Sequence, residues 1–240
     1  RLKNKQPKNF LFLGSLGPGK GLHLILDYWP LIRKNFKNCK LNVIGGNLYK
    51  PKNQYSKEHY KLFNSYKDIL NKKLNSMSSE DKNSIKFLGL LSAEEKDNIL
   101  KKSDIALLNP TGKTEAAPAS PLECYCYGIP VVAGGDFGAF DNMKYFPELD
   151  LKKKNIKEII NILNNKNDYM LLKKRAHKLA IEKALENKQI LNQWIKLFNN
   201  KISKPSVKLP KIINLKLFLR NSYYRTIKYP IKRIIRKFSI

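Results

Sequence analysis

The chain has 240 residues, of which 42% are hydrophobic and 28% are charged, a composition that excludes disorder as the default and is typical of a folded soluble domain. Its three cysteines are too few for a disulfide framework, and no apolar run approaches the roughly 18 residues that cross a bilayer. The net charge of +28 favours contact with polyanions, namely nucleotide phosphates, nucleic acid or anionic lipid headgroups.

Short apolar runs alternate with amphipathic stretches from residue 8 to about residue 135. The runs that predict buried strands cover residues 10–13, 41–44, 85–88, 105–108 and 130–133. Apolar residues recur at helical spacing from Leu22 to Ile32, and Pro30 is expected to bend this helix or to end its first part. Further helices are predicted around 57–74 and after Ser92 and Ser120, which each open a capping-box sequence, the second with proline at the first helical position.

Alternating strands and helices predict right-handed crossovers and therefore an α/β fold with a Rossmann-like parallel sheet, covered by helices on both faces. In such sheets ligands bind beyond the carboxyl ends of the strands. Residues 156–203 show a helical pattern only. We expect one domain over residues 8–200 and a basic amphipathic tail over residues 201–240.

The strongest local motif is the turn from Gly14 to Gly21, with the sequence GSLGPGKG, between the first strand and the first helix. Its glycines would let backbone amides approach a phosphate, the helix start adds positive potential, and Lys20 supplies a counter-charge. A P-loop would need Ser or Thr where Gly21 stands. A phosphate-binding turn and a plain strand-to-helix turn both fit these residues.

Glu115 and Glu123 flank a loop of small residues and a predicted helix start. Backbone amides near Ala119 to Leu122 would point out of that helix towards a ligand. As a capping-box glutamate, Glu123 needs no substrate, and Glu115 alone could be a solvated loop charge. The residues themselves leave a ligand-binding pair and a structural pair equally open.

Several weak motifs occur here in one order, and their order and spacing are specific. They are Gly14 with Lys20-Gly21, residues 41–46 ending in Gly45-Gly46, residues 85–89, residues 103–108, Glu115 and Glu123 with seven residues between them, and residues 128–133. The series resembles the C-terminal, nucleotide-sugar-binding domain of GT-B glycosyltransferases of the GT4 type, the group with an E-x7-E motif. The resemblance covers roughly residues 8–200.

The resemblance implies transfer of a hexose, with retention of anomeric configuration, from a UDP-, GDP- or ADP-linked donor to a glycan or lipid-linked acceptor, with UDP and GDP favoured. It assigns Lys20 and the amides around Gly14 to the leaving diphosphate, Glu123 to the ribose hydroxyls, and Glu115 to the sugar hydroxyls and the anomeric carbon. Glu115 and Lys20 are thus the candidate catalytic residues. The other candidate donor-binding residues are Gly14, Ser15, Gly89, Leu90, Ala119, Ser120, Pro121, Leu122 and Glu123.

The chain departs from the family pattern in three ways. Ser15 stands where many relatives have an arginine for the diphosphate, and Ala116 to Ala119 lack the glycine-and-aromatic sequence frequent there. The N-terminal acceptor domain is absent from this chain, so we expect donor binding and little or no transfer by the chain alone. No metal or cofactor is expected, since His23, His59 and His177 are isolated in the sequence.

Two other functions remain open: a P-loop-like nucleotide hydrolase using residues 14–21, and a phosphate-binding or membrane-surface module without catalysis. The tail over 201–240 has twelve Lys or Arg and no Asp or Glu. It fits a segment lying on anionic membrane, a helix packed on the missing domain, or a solvated tail. No nucleic acid is expected as a partner, since no recognition fold is visible. We expect a cytoplasmic protein, with the inner face of the plasma membrane as one site of peripheral contact and surface-polysaccharide assembly as its context.

Overall fold

A computed structural model describes residues 6–46, 57–112 and 118–203 of the chain. Within these ranges five parallel strands form one sheet in the order β3-β2-β1-β4-β5. The strands are β1 (Asn9–Leu13), β2 (Lys40–Ile44), β3 (Ile85–Gly89), β4 (Ile105–Leu107) and β5 (Val131–Val132). Each predicted strand is present, and no strand end differs by more than one residue from the apolar run that predicted it.

The strands alternate with helices along the chain. The helices are α1 (Leu22–Asn35), α2 (Lys57–Ser76), α3 (Ser79–Asn83), α4 (Ala93–Lys102), α5 (Ser120–Cys126), α6 (Phe140–Met143), α7 (Ile156–Asn164) and α8 (Lys166–Ser203). Short 3-10 turns cover Pro18–Lys20, Phe137–Ala139 and Pro147–Leu149. The chain divides into two compact units, Arg1–Leu185 and Glu186–Ile240, and the candidate site and the pocket described below belong to the first.

The strand order reverses direction between β1 and β4. From β1 the chain crosses outwards to β2 and β3, and then returns to β4 on the other side of β1. Right-handed crossovers therefore place the helices after β1 and β2 on one face of the sheet and those after β3 and β4 on the other. The three central residues of β1, Phe10 to Phe12, are all buried, as expected for a strand covered on both faces. The predicted α/β fold class is confirmed.

Helix α1 packs against the sheet with the apolar stripe that its sequence predicted. Its buried residues are Leu22, Ile25, Leu26, Trp29 and Ile32. The Trp29 ring meets Phe10 edge-on with centroids 5.6 Å apart, and its Nε1 donates a hydrogen bond to Ser84 Oγ at 2.8 Å. The expectation that Pro30 ends the first part of this helix is wrong, since α1 continues to Asn35. Packing on both sides of the exposed Pro30 outweighs the one backbone hydrogen bond that proline removes.

Candidate functional site

The carboxyl ends of the strands form one continuous edge that backbone hydrogen bonds hold together. Gly14 donates to the Ile44 carbonyl and Gly45 to the Gly89 carbonyl, both at 3.0 Å. On the other side Gly134 donates to the Asn109 carbonyl at 3.1 Å. The strand order reverses between β1 and β4 at this edge, and in parallel sheets such a reversal marks the crevice in which ligands bind. The loop after β1 carries Lys20, and the chain after β4 carries Glu115 and Glu123.

The turn from Gly14 to Gly21 lies at this crevice and ends in the 3-10 turn Pro18–Lys20. Gly21 has a φ of +70°, and a Cβ there would lie 2.8 Å from the Pro110 Cδ. The end of the turn therefore packs directly on the loop that follows β4 and leads to Glu115. The Gly14 amide already donates its hydrogen bond to the Ile44 carbonyl. The contribution of Gly14 to the site is therefore the change of chain direction after β1.

Tyr66, on α2, packs against the first turn of α1 and forms hydrogen bonds there. The phenol of Tyr66 is buried and accepts a hydrogen bond from the His23 amide at 3.2 Å, while His23 Nδ1 lies 3.2 Å from the same oxygen. Burial raises the pKa of Tyr66. Burial, and then the Lys73 ammonium, lower the pKa of His23. The His23 amide, in the first turn of α1, is therefore already paired with an internal hydroxyl. That the start of this helix adds positive potential for a phosphate stays a prediction.

Helix α5 begins one residue earlier than its sequence suggested, and the predicted capping box at Ser120 is wrong. Ala119 is the N-cap with helical dihedrals, no side chain caps the helix, and the Glu123 amide donates to the Ala119 carbonyl at 3.0 Å. Ser120 is thus already within the helix, so the Glu123 side chain is out of reach of the cap amide that a capping box requires. Pro121 is buried in this first turn, and Leu122 follows it.

The Glu123 carboxylate instead faces α4. Lys96 Nζ donates to Glu123 Oε2 at 2.8 Å, and the two side chains are 33% and 40% exposed. Asp97, the residue after Lys96, makes a second contact: the Tyr127 hydroxyl, at the end of α5, donates to Asp97, which also pairs with Lys101. The hydrogen bonds from Lys101 and then from Tyr127 lower the pKa of Asp97. These contacts hold α4 against α5, and Glu123 keeps acceptor capacity for ligand hydroxyls, because a carboxylate accepts several hydrogen bonds.

The turn after β3 presents an apolar side chain at the same edge. Gly89 has a φ of +69°, and the Leu90 that follows it is 80% exposed. The Leu90 side chain borders Gly46, whose added Cβ would lie 3.5 Å from it. This loop, which carries the candidate donor-binding residues Gly89 and Leu90, therefore offers an open apolar surface beside the end of β2.

The fold carries the predicted residues from three separate loops to one edge of the sheet. Gly14, Ser15 and Lys20 follow β1, Gly89 ends β3 and Leu90 follows it, and Ala119 to Glu123 follow β4. Glu115 lies in residues 113–117, outside the described residues. That Glu115, Glu123 and Lys20 face one crevice stays a prediction, which the topology favours.

Sequence reasoning missed three residues that shape the site. Lys96 pairs with Glu123, Tyr66 occupies the start of α1, and Asn109 bends the chain after β4 with a φ of +31°. The carbonyl of Asn109 accepts hydrogen bonds from Gly112 and Gly134. Only Asn109 gave a sequence signal, since Asn before Pro is typical of a turn.

Neither a metal centre nor a membrane span is found in the part of the chain that the structure describes. No three side chains of His, Cys, Asp or Glu gather there as metal ligands would. None of the helices in the described ranges is both long and apolar enough to span a bilayer.

Comparison with known proteins gives a family and a set of related folds. The family described as Glycosyl transferases group 1 matches residues 1–144. No curated protein sequence matches the chain.

Among solved structures, a mutant of TarM from S. aureus, in complex with fondaparinux, alpha-GlcNAc-glycerol and UDP, superposes with a TM-score of 0.57 at 17% identity, over 81% of this chain and 36% of TarM. A structure described as trehalose-6-phosphate from E. coli bound with UDP-2-fluoro glucose gives 0.58 at 11% identity, over 84% and 45%. Sucrose-phosphate synthase from Thermosynechococcus elongatus gives 0.55 at 16% identity, over 82% and 47%. This chain thus spans less than half the length of each.

Proposed function

Because the chain belongs to the family of group 1 glycosyl transferases, we propose that it is the donor-binding half of a two-domain, GT4-type retaining glycosyltransferase. In this proposal it binds a UDP- or GDP-linked hexose, without a metal, for transfer to a glycan or lipid-linked acceptor. The observation that carries the proposal is the reversal of strand order between β1 and β4, since the loop of Lys20 follows β1 and the helix of Glu123 follows β4 at the carboxyl ends of the strands. Two of the structural neighbours hold UDP or a UDP-sugar, which supports a nucleotide-sugar donor.

The proposed reaction breaks the bond between the anomeric carbon and the diphosphate oxygen. The diphosphate leaves with the bonding electron pair, the acceptor oxygen bonds to the anomeric carbon on the same face, and the acceptor proton passes to the departing phosphate. Negative charge therefore grows on the diphosphate, where Lys20 and the amides at the start of α5 would stabilise it. Groups that the fold preorganises in this way would need little reorganisation during the reaction.

The two glutamates would act on the sugar parts of the donor. Glu123, held by Lys96, would accept hydrogen bonds from ribose hydroxyls. Glu115 would accept hydrogen bonds from the hexose and offset positive charge that develops at the anomeric carbon. Leu90 would border the base. Transfer would also require an acceptor-binding domain, since the chain covers less than half of its solved relatives.

The proposal extends to location and context. Residues 201–240, with twelve basic side chains and no acidic ones, would hold the enzyme at the inner, anionic face of the plasma membrane, where it would serve polysaccharide assembly. Residues 204–240 lie outside the described residues, so sequence alone supports that part.

Donor binding can be tested by calorimetric titration of the full chain with UDP, GDP, ADP and their glucose conjugates, with and without Mg²⁺. We expect metal-independent binding of one nucleotide-sugar, weakened by Lys20→Met and by Glu123→Gln. Lys153→Met, at an exposed lysine in another loop, is the matched control and should bind as the wild type does. Binding of Mg-ATP alone would instead indicate a nucleotide hydrolase, and no binding at all would indicate a module without catalysis.

A further inference from the structure

A pocket at the opposite edge of the sheet has no part in the proposed function. It has a volume of about 620 Å³ and lies between Tyr127 and Gly128, at the end of α5, and the Lys173, Lys174, His177 and Lys178 side of α8. Tyr127 and Gly128 come just before β5, so this α5–α8 pocket lies at the amino ends of the strands. The proposed donor site lies at the carboxyl ends.

Two packed elements fix the shape of the α5–α8 pocket. Gly128 has a φ of +64°, and an added Cβ would lie 3.5 Å from the Lys173 carbonyl oxygen and 3.8 Å from the His177 Cβ. The end of α5 thus touches the backbone of α8. Buried residues anchor both helices directly beneath the pocket, Tyr125 on α5 and Ala176 on α8. The backbone at the base of the pocket is therefore packed in place.

Positive charge predominates among the lining side chains. Lys173, Lys174 and Lys178 line the pocket, while Glu182 is its one acidic lining residue. Glu182 lies 3.8 Å from Lys178 and offsets part of its charge. In the described ranges, Lys174 has no acidic partner. The C-terminal end of α5 also points here, but its carbonyls at Cys124 and Tyr125 already accept backbone hydrogen bonds. The pocket favours an anion.

Apolar surface borders the same cations. The Tyr127 ring is 36% exposed and Ile181 is 52% exposed, and both line the pocket. Its volume lies within the range of about 300–1,000 Å³ found for small-molecule sites. A ligand that contacts both the lysine ammonium groups and the apolar surface would carry a compact anionic group next to an apolar group.

We propose that the α5–α8 pocket binds a phosphate ester that carries an apolar group. A phosphate presents several oxygens, and each can pair with an ammonium group such as those of Lys173, Lys174 and Lys178, which line the pocket. The apolar group lies on Tyr127 and Ile181. A soluble phosphorylated metabolite and a phospholipid headgroup share this chemistry. The proposal does not depend on glycosyl transfer.

The test uses the full chain labelled with ¹⁵N and three probes: hexyl phosphate, methyl phosphate, and phosphatidylcholine vesicles with or without phosphatidylglycerol. The pocket variant is Lys174→Gln with Lys178→Gln, and the matched control is Lys153→Gln with Lys157→Gln, which removes two exposed charges elsewhere. We expect amide shifts at Tyr127, Gly128 and residues 173–182. The pocket variant should bind about thirtyfold more weakly than the control, since each lysine near an anion contributes roughly fivefold.

The outcomes separate the two sources and the rival explanation. Hexyl phosphate binding without a vesicle preference indicates a soluble ligand, and binding to phosphatidylglycerol vesicles alone indicates a lipid headgroup; either supports the proposal. Equal behaviour of the two double variants with every probe would overturn it, and so would equal affinity for hexyl and methyl phosphate. Lys20→Met should leave these shifts unchanged, which keeps failure here distinct from failure at the donor site.

Discussion

At the scale of single residues, Gly45 sets how closely the ends of β1 and β2 approach. A Cβ at Gly45 would lie 2.0 Å from the Gly14 carbonyl oxygen. The two strand ends would have to move apart to remove this clash. The neighbouring hydrogen bonds, from Gly14 to Ile44 and from Gly45 to Gly89, restrict that movement. The geometry of the turn that carries Lys20 therefore depends on the absence of a side chain at position 45.

Replacing Gly45 by alanine is expected to lower the free energy of unfolding by about 1–3 kcal/mol, as overpacking does elsewhere. Gly46→Ala is the matched control, since its Cβ would lie at an ordinary 3.5 Å from Leu90. Urea denaturation of the two variants measures the difference. If both variants lose the same stability, the close approach of the strand ends is not the reason that position 45 needs a glycine.

The contact between Lys96 and Glu123 is a second single-residue feature with a measurable consequence. The Lys96 and Glu123 side chains are 33% and 40% exposed. Because solvent screens such a pair, it stabilises the fold by less than about 1 kcal/mol. We expect a double-mutant cycle with Lys96→Met and Glu123→Gln to give a coupling free energy of that size in urea denaturation. Lys102→Met, at the exposed end of the same helix, should show no coupling to Glu123→Gln.

The same cycle, measured by calorimetry with the nucleotide-sugar that binds, tests the positioning role of Lys96. We expect Lys96→Met to weaken binding about two- to fivefold in the presence of Glu123 and to have no effect once Glu123 is glutamine. An equal loss in both backgrounds would show that Lys96 acts on the ligand independently of Glu123.

At the scale of elements, sequence patterns succeed where one helix face meets one buried surface. The stripe from Leu22 to Ile32 predicted the buried face of α1 because burial, and not local propensity, decides which side of a helix packs. The sequence pattern gives too much weight to Pro30 as a residue that ends a helix. A helix with core contacts on both sides of a proline can continue through it. Local signals are weak when tertiary packing competes with them.

The two capping-box sequences illustrate the same limit. At Ser92 the box forms, with Ser92 Oγ accepting from the Glu95 amide at 3.2 Å and the Glu95 carboxylate accepting from the Ser92 amide at 2.8 Å. At Ser120 it does not form, because α5 begins earlier and Glu123 is drawn to Lys96. The partner on α4 is 27 positions away in sequence, so no local pattern could indicate it.

Alanine substitutions should distinguish the two serines. Ser92→Ala removes a helix cap and is expected to lower the free energy of unfolding by about 1 kcal/mol. Ser120→Ala removes no cap and should change it by less than about 0.5 kcal/mol. Thermal or urea denaturation of both variants gives the comparison. A larger loss of stability for Ser120→Ala than for Ser92→Ala would show that Ser120 does cap α5, against the structure.

The packing of α2 on the start of α1 predicts a pH dependence. The pKa of His23 is lowered by burial and by Lys73, with Asp27 opposing, so the folded state binds this proton less readily than the unfolded chain. The resulting stability is therefore fully present above the unfolded pKa of about 6.5 and is lost progressively as pH falls through that value towards the folded pKa. Protonated Nδ1 would also cease to accept a hydrogen bond from Tyr66.

We expect the urea midpoint of the wild type to fall more between pH 7.5 and pH 5.5 than that of His23→Asn, which keeps a hydrogen-bond acceptor and does not titrate. The difference between the two proteins isolates His23 from other titrating groups. Parallel pH profiles would show that His23 does not couple protonation to folding.

At the scale of the whole molecule, the order of the glycine turns made the sheet and its functional edge predictable. A turn with glycine ends β1, β2 and β3, and parallel strands bring those ends to one side. The contacts that complete the candidate site were not predictable, since Tyr66 reaches α1 from α2 and Lys96 reaches Glu123 from α4. Such contacts depend on how whole helices lie on the sheet. Glu115 lies outside the described residues, and its role stays a prediction.

Net charge is the remaining property of the whole chain, and it predicts salt-dependent attraction to anionic surfaces. Twelve of the basic residues lie in 201–240 without any acidic neighbour there. Each basic residue near an anionic membrane contributes about 1 kcal/mol, so replacing Lys232, Arg233, Arg236 and Lys237 by glutamine should weaken binding to phosphatidylglycerol vesicles by roughly a thousandfold. The control replaces the exposed Lys34, Lys37, Lys40 and Lys86 and changes the net charge by the same amount. Sedimentation with vesicles at low and high salt measures both; equal losses would show that net charge acts without regard to its location, and the assignment of the tail to the membrane would fail.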